Sequence, residues 1–217
     1  MLQDLVNSRK TCRLCMDKDP GEIVNGSSFD FDPNVVSHWS QWLGHPSPRI
    51  LVVGQDFSDS DYFERNRGAD SPDNATNKNL SKLLELAGVK HQLEHQKVSE
   101  APVYLTNSIL CLKTPPMNRP ISRGWVRNCA TNHLRPLIVE LKPEVIVGMG
   151  AHGWRAVCLA LNLMDLPTAI TAAAGNSWKI GNHYVCAVGH CGPLGLANRN
   201  WDKQAKDWKH IGELLGE

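Results

Sequence analysis

The stretch Pro48-Arg49-Ile50-Leu51-Val52-Val53-Gly54-Gln55-Asp56-Phe57 decides how the rest of the chain is read. Four apolar residues, Ile50 to Val53, run without alternation between a proline-led entry and a glycine. A strand with one wet face alternates apolar and polar residues. An unbroken run fits a strand buried on both faces, as in the parallel sheet of an α/β protein. Gly54 permits a tight turn at its exit, and Gln55-Asp56 then stand where open α/β sheets place their chemistry.

Working outward, Val103–Asn107, Val145–Gly150 and Tyr184–Val188 read as three further core strands. Between them lie helical patterns. Asn79–Leu86 carries Leu80, Leu83 and Leu84 on one side and stops at Gly88. A helix capped by Ser122 carries Trp125, Cys129, Leu134 and Leu137 and is bent by Pro136. Helices are also expected at 153–163 and 202–215, with short ones at 2–8 and 37–43. Ala169–Ala174 reads as an edge strand or a loop. Strand and helix alternate in βαβ fashion, which predicts one domain over residues 1–217. Its expected architecture is a three-layer α/β/α sandwich around a central, mainly parallel four-stranded sheet. Residues 58–77 are polar and aperiodic, longer than a median connection, and read as a substrate-facing loop.

The formal net charge is +1, from 23 basic and 22 acidic residues. This balance gives no sign of a strongly basic nucleic-acid binder, although Lys113, Arg119, Arg123 and Arg127 form a local basic segment free of acids. No apolar run reaches membrane-spanning length, and the start MLQDLVNSRKTCRLC lacks the apolar core of a signal peptide. The expectation is a cytoplasmic monomer with no membrane partner. Seven cysteines in such a chain argue against a disulfide framework. Cys12-x-x-Cys15, Cys111 and Cys129 together provide four thiolates, enough for a tetrahedral zinc or a [4Fe–4S] cluster that would tie the N-terminal segment to the core. Spacing leaves the two metals equivalent. Cys158 and Cys186 read as buried thiols.

Three strand exits each present a polar group: Gln55-Asp56, Asn107 and His190. An asparagine amide offers one donor and one acceptor, and so can read an N–H beside a carbonyl, the edge that uracil presents. An imidazole aimed at a ring carbonyl can stabilise charge developing there as a glycosidic bond breaks. A carboxylate opposite can position water and support a cationic sugar.

With these residues in place, the sequence resembles the uracil-DNA glycosylase superfamily, closest in layout to its iron–sulfur branch, with a divergent active site. The likeness rests on CRLC (12–15), ILVVGQD (50–56), VYLTNSILCLKTPPMNRP (103–120), Cys129, LKPEVIVGMG (141–150) and GHCGPLG (189–195). The resemblance implies a structural [4Fe–4S] cluster on Cys12, Cys15, Cys111 and Cys129, with structural zinc as the alternative. It implies that Gln55 lies in the motif holding the base carbonyl, that Asp56 orients water, and that Asn107 reads the base. His190 takes the place of the histidine in a His-Pro-Ser motif, and Leu194 or Leu196 that of the wedge filling the gap left by a flipped nucleotide. Under this reading Arg119, Arg123, Asn198 and Arg199 hold phosphates.

The sequence departs from the family pattern in three places. The segment SPDNATNKNL has no aromatic to stack on the base, leaving Phe57 or Tyr62 as substitutes; His190 is followed by Cys-Gly; and the 58–77 loop is long. The expected function is therefore a monofunctional DNA glycosylase for uracil or a larger altered pyrimidine, such as a modified phage base. It would act on double- or single-stranded DNA in base-excision repair or phage defence. The alternatives are a non-catalytic or covalently capturing DNA-binding member of the same fold, and a zinc-stabilised nucleotide-binding regulator.

Overall fold

Side chains alternate across a strand, so an unbroken apolar run must supply two cores at once, and Ile50–Gly54 does so. Leu51 and Val53 pack into one apolar layer with Tyr104, Ile146, Val185 and Ala187 of the neighbouring strands. Ile50 and Val52 pack into the opposite layer with Val103, Leu105, Val145, Val147, Cys186 and Val188. The computed structural model describes residues 2–32, 45–71, 73–89 and 103–216; the helix expected at 37–43 lies outside them.

In chain order the elements begin with α1 (Leu2–Thr11), β1 (Ile23–Val24), β2 (Ile50–Gly54), α2 (Ser60–Arg65) and α3 (Ala75–Leu86). Next come β3 (Val103–Asn107), β4 (Leu112–Lys113), α4 (Arg123–Cys129) and α5 (Arg135–Leu141). The chain closes with β5 (Val145–Met149), α6 (Gly150–Leu161), α7 (Ile170–Ala173), β6 (Ser177–Ile180), β7 (His183–Val188), α8 (Pro193–Asn198) and α9 (Trp201–Leu214). The result is a three-layer α/β/α arrangement. Trp125 and Val126 of α4, Leu137 of α5 and Trp154 of α6 fill one side of the sheet. Leu80, Leu83 and Leu84 of α3 and Trp208 and Ile211 of α9 fill the other. Truncating Leu83 to alanine in such a layer costs about 2–5 kcal/mol.

The central sheet has five strands in the order β3-β2-β5-β7-β6, which corrects the four-stranded expectation. β3, β2, β5 and β7 run parallel, and β6 pairs antiparallel with β7, so the sheet is mixed. The fifth strand arises from a two-residue hairpin: Ile180 pairs with His183 across Gly181-Asn182, with Gly181 in the left-handed region. β1 and β4 form a separate antiparallel ribbon. Ala169–Ala174 holds the short helix α7, neither strand nor open loop.

Ser122 caps α4, accepting a hydrogen bond from the Gly124 N–H. The bend expected at Pro136 is a π-helical stretch, Ala130–Leu134, immediately before α5. A proline ring displaces the carbonyl four residues back and lacks the N–H to pair with it, so the ladder shifts register just upstream. No helix among the described residues is long and apolar enough to cross a membrane.

Candidate active site

The chain steps from β2 outward to β3 and then returns across β2 to β5. A crevice therefore opens at the carboxyl ends of β2 and β5, where the strand order reverses. The register pairs Gly54 with Asn107. Ser108 locks the two exits together: its N–H donates to Gly54 O at 2.9 Å and its hydroxyl donates to Gln55 O at 2.6 Å. The first turn of α6 closes the floor. A Cβ on Gly153 would lie 2.1 Å from Val53 O, so only glycine lets this helix seat on the end of β2. Beside the exits lies a cavity of about 800 Å³ whose wall includes Gln55, Thr76, Gly150, His190, Leu194 and Lys203.

Asn107 is 2% exposed, and neither atom of its amide has a hydrogen-bond partner among the described residues. Burying an unsatisfied polar group costs about 1–3 kcal/mol, which makes this amide a candidate ligand contact. His190 Nδ1 accepts a hydrogen bond from the Gly192 N–H at 3.0 Å, so in the neutral ring the hydrogen sits on Nε2. Burial lowers the His190 pKa, and the Asp56 carboxylate partly opposes that shift. The imidazole is thus a neutral donor that feels the charge of the Asp56 carboxylate. Its loop is held by Gln204, whose Nε2 donates to His190 O at 3.1 Å and to Arg199 O at 2.9 Å.

Asp56 Oδ2 lies 2.8 Å from Lys113 Nζ, and both side chains are largely buried. The same carboxylate acts on His152 in the first turn of α6. Burial lowers the His152 pKa, Asp56 raises it, and Arg155 and Lys113 lower it further. One carboxylate therefore lies near two imidazoles and one ammonium.

The other expected site residues divide by location. Gln55, Leu194, Asn198 and Arg199 join His190 at the cavity, with Leu194 85% exposed. Leu196 is half-buried on α8. Asn198 donates to Leu194 O at 3.0 Å, and the Arg199 guanidinium grips Asp207 at 2.6 and 2.7 Å. Arg119 donates to Thr114 O and Pro115 O at 2.9 and 2.8 Å, and Arg123 is exposed at the start of α4.

Phe57 is buried edge-on against Phe63 at 5.3 Å, with Tyr62 at 5.7 Å. The Tyr62 hydroxyl donates to Asp70, which also accepts from Ser71 N at 2.9 Å, Asn74 Nδ2 at 3.0 Å and Asn77 Nδ2 at 2.6 Å. The long 58–77 segment is consequently an organised unit, folded on aromatic rings and one buried carboxylate.

The cysteines do not form the expected metal site. Among the described residues no group of three or more His, Cys, Asp or Glu side chains is arranged to hold a metal ion. The described residues therefore contradict the expected [4Fe–4S] cluster on Cys12, Cys15, Cys111 and Cys129, and structural zinc as its alternative. Cys15, Cys111 and Cys129 instead pack within the apolar layer beneath α1 and α4. Burial, reinforced by the neighbouring thiols, pushes Cys111 up to about 12 and Cys129 well above its ordinary value. Cys15 is also raised by burial, partly offset by a 3.4 Å hydrogen bond from Asn128 Nδ2. These are the properties of protonated core thiols. Cys191, beside His190, is fully buried and raised to about 12.

Lys113 and His152 are site residues that the motif reading missed. In the sequence Lys113 is one charge of a basic segment within the 103–120 block, six residues beyond Asn107, and nothing local marks it as a partner of Asp56. His152 carried no signal apart from following the glycine turn of β5.

Fold and site together define the class: a doubly wound α/β protein with polar side chains at the strand exits, of which Gln55 and His190 line the cavity while Asp56 and Asn107 are not part of its described wall. Within that class, residues 42–213 match the model of the Uracil DNA glycosylase superfamily, and the chain belongs to it. A search of curated proteins gave no match. The placement nearest the iron–sulfur branch is corrected along with the cluster, because the described residues hold no metal-binding group of the kind that branch requires.

Proposed function

We propose that this protein is a monofunctional DNA glycosylase that extrudes a uracil or altered pyrimidine and hydrolyses its N-glycosidic bond, leaving an abasic site. The observation that carries this reading is the buried Asn107 amide, unpartnered and one strand away from Asp56. Asn107 reads the base edge, donating to a ring carbonyl and accepting from the adjacent N–H. His190 donates from Nε2 to the carbonyl oxygen on which charge collects as the bond electrons leave with the base. Asp56 faces the cationic sugar and orients the water whose oxygen bonds to the anomeric carbon.

DNA is the proposed partner. Leu194, exposed at the cavity wall, suits a wedge in the gap left by the extruded nucleotide, and Lys203, Arg119 and Arg123 suit phosphate contacts. Small residues in the cavity wall, Gly150, Ala151, Gly189 and Gly192, leave space for a pyrimidine bulkier than uracil.

The test is an excision screen with duplex and single strands carrying uracil, hypoxanthine, mismatched thymine or hypermodified pyrimidines. The expected result is a free base and an alkali-sensitive site for at least one substrate. His190→Ala should lose activity on the order of 10²-fold or more. Tight binding with no base released from any substrate would overturn the enzyme reading and leave a DNA-binding member of the superfamily.

A further inference from the structure

We propose that Lys113 is the positioning residue of Asp56, its buried ammonium fixing the carboxylate from behind and tying it to the Pro115–Arg119 loop. The inference rests on the role given to Asp56 above and extends it to a residue of the 103–120 block that had no role of its own.

Lys113 is held at its backbone from two sides. It pairs with Ile23 in the β1–β4 ribbon, and it forms a bridge with Asp59, the residue that caps α2. Its side chain is only 3% exposed and ends on two oxygens: Asp56 Oδ2 at 2.8 Å and Met117 O at 2.6 Å. Lysine is among the residues least often fully buried, and a buried ion pair is commonly no more stabilising than apolar side chains of the same volume. Stability alone thus gives little reason for the pair, whereas a carboxylate that must meet a water and a sugar cation in fixed geometry supplies one. The ammonium lies against Oδ2, a buried oxygen with no other hydrogen-bond partner among the described residues. The bond to Met117 O extends the arrangement to a loop whose Met117 side chain is half exposed and whose Arg119 is proposed above for phosphate contact. The groups around Asp56 are Lys113, His152 and His190, with Arg155 beyond His152.

The experiment compares full-length wild type with Lys113→Met, Lys113→Arg, Asp56→Asn and the Lys113→Met/Asp56→Asn double variant on a substrate from the excision screen. Misplacing a reacting group by about 1 Å costs on the order of 10²-fold, so Lys113→Met should lose kcat on that scale with little change in KM. Lys113→Arg, which keeps the charge, should recover part of it. The double variant should be no slower than Asp56→Asn alone, and it should melt higher than Lys113→Met because no carboxylate is left buried and unpaired.

Additive losses, a loss confined to KM, or borohydride trapping of Lys113 on abasic DNA would overturn the assignment. If Lys113→Met does not fold, the kcat loss of Lys113→Arg and the double variant decide the matter. A readout independent of base release is the NMR titration of His152. Removing the Lys113 cation should raise its pKa, and an unmoved titration in a folded variant would overturn the contact even if no substrate is found.

Discussion

The Gly192 N–H donates to His190 Nδ1 at 3.0 Å, and this one bond decides which nitrogen of the ring faces the cavity as a donor. Burial keeps the ring neutral near pH 7 while Asp56 pulls its pKa upward. The expected outcome is that His190 titrates below the ordinary value of about 6.5, and lower still in Asp56→Asn. Long-range ¹H–¹⁵N spectra across pH check this, and they should show Nδ1 as the unprotonated nitrogen. A His190 pKa that rises in Asp56→Asn contradicts the proximity of the two groups.

Gly195 meets the same loop from α8. A Cβ at this position would lie 1.8 Å from His190 O, so Gly195→Ala must displace either the helix or the histidine. Base release should fall on the order of 10²-fold, the scale for a misplaced catalytic group, while far-ultraviolet circular dichroism stays close to wild type. Unchanged single-turnover rates would show that the loop absorbs the methyl group elsewhere.

Asp70 organises the long segment before α3. Asp70→Ala would strand Tyr62 Oη, Asn74 Nδ2 and Asn77 Nδ2, of which Asn77 is itself buried. A loss of about 3 kcal/mol is expected by denaturant titration, together with earlier proteolysis within residues 58–77. Tyr62→Phe, which removes one bond to Asp70, should cost about 1 kcal/mol.

These residues also show what the sequence made legible. The unalternating Ile50–Val53 run declared a doubly buried strand because side-chain periodicity is a local property, and the three polar exits followed from it. β6 went unseen although Gly181-Asn182 is a hairpin signal, because Ser177-Trp-Lys-Ile180 on the sheet edge lacks the apolar run of a central strand. The four cysteines misled because spacing counts thiols without reporting whether they are arranged around one point, and among the described residues they are not arranged to hold a metal. The Lys113–Asp56 pair was hidden for a different reason: a two-residue ribbon 57 positions away in sequence has no periodicity to read.

His133, in the π-helical stretch, carries an acid sensitivity. Burial, reinforced by Arg9, lowers its pKa from 6.5 to about 4. A histidine with a depressed folded-state pKa contributes stability above its unfolded value, and that contribution is lost as pH falls from about 6.5 through about 4. At about 1.4 kcal/mol per unit, the loss is about 3 kcal/mol. Denaturant titrations between pH 7 and 4 should show it in wild type, and His133→Leu should flatten that part of the profile.

The central claim is that one extruded base is read by the Asn107 amide while Asp56 and His190 act on its glycosidic bond. Its most direct measurement is single-turnover release of free base, quantified by mass spectrometry, for wild type and Asn107→Ala on the best substrate of the screen. Losing a site hydrogen-bond pair of this kind should slow release by about 10²-fold or more while the protein melts no lower, since a buried unsatisfied amide is removed. Equal rates for the two proteins would contradict the account.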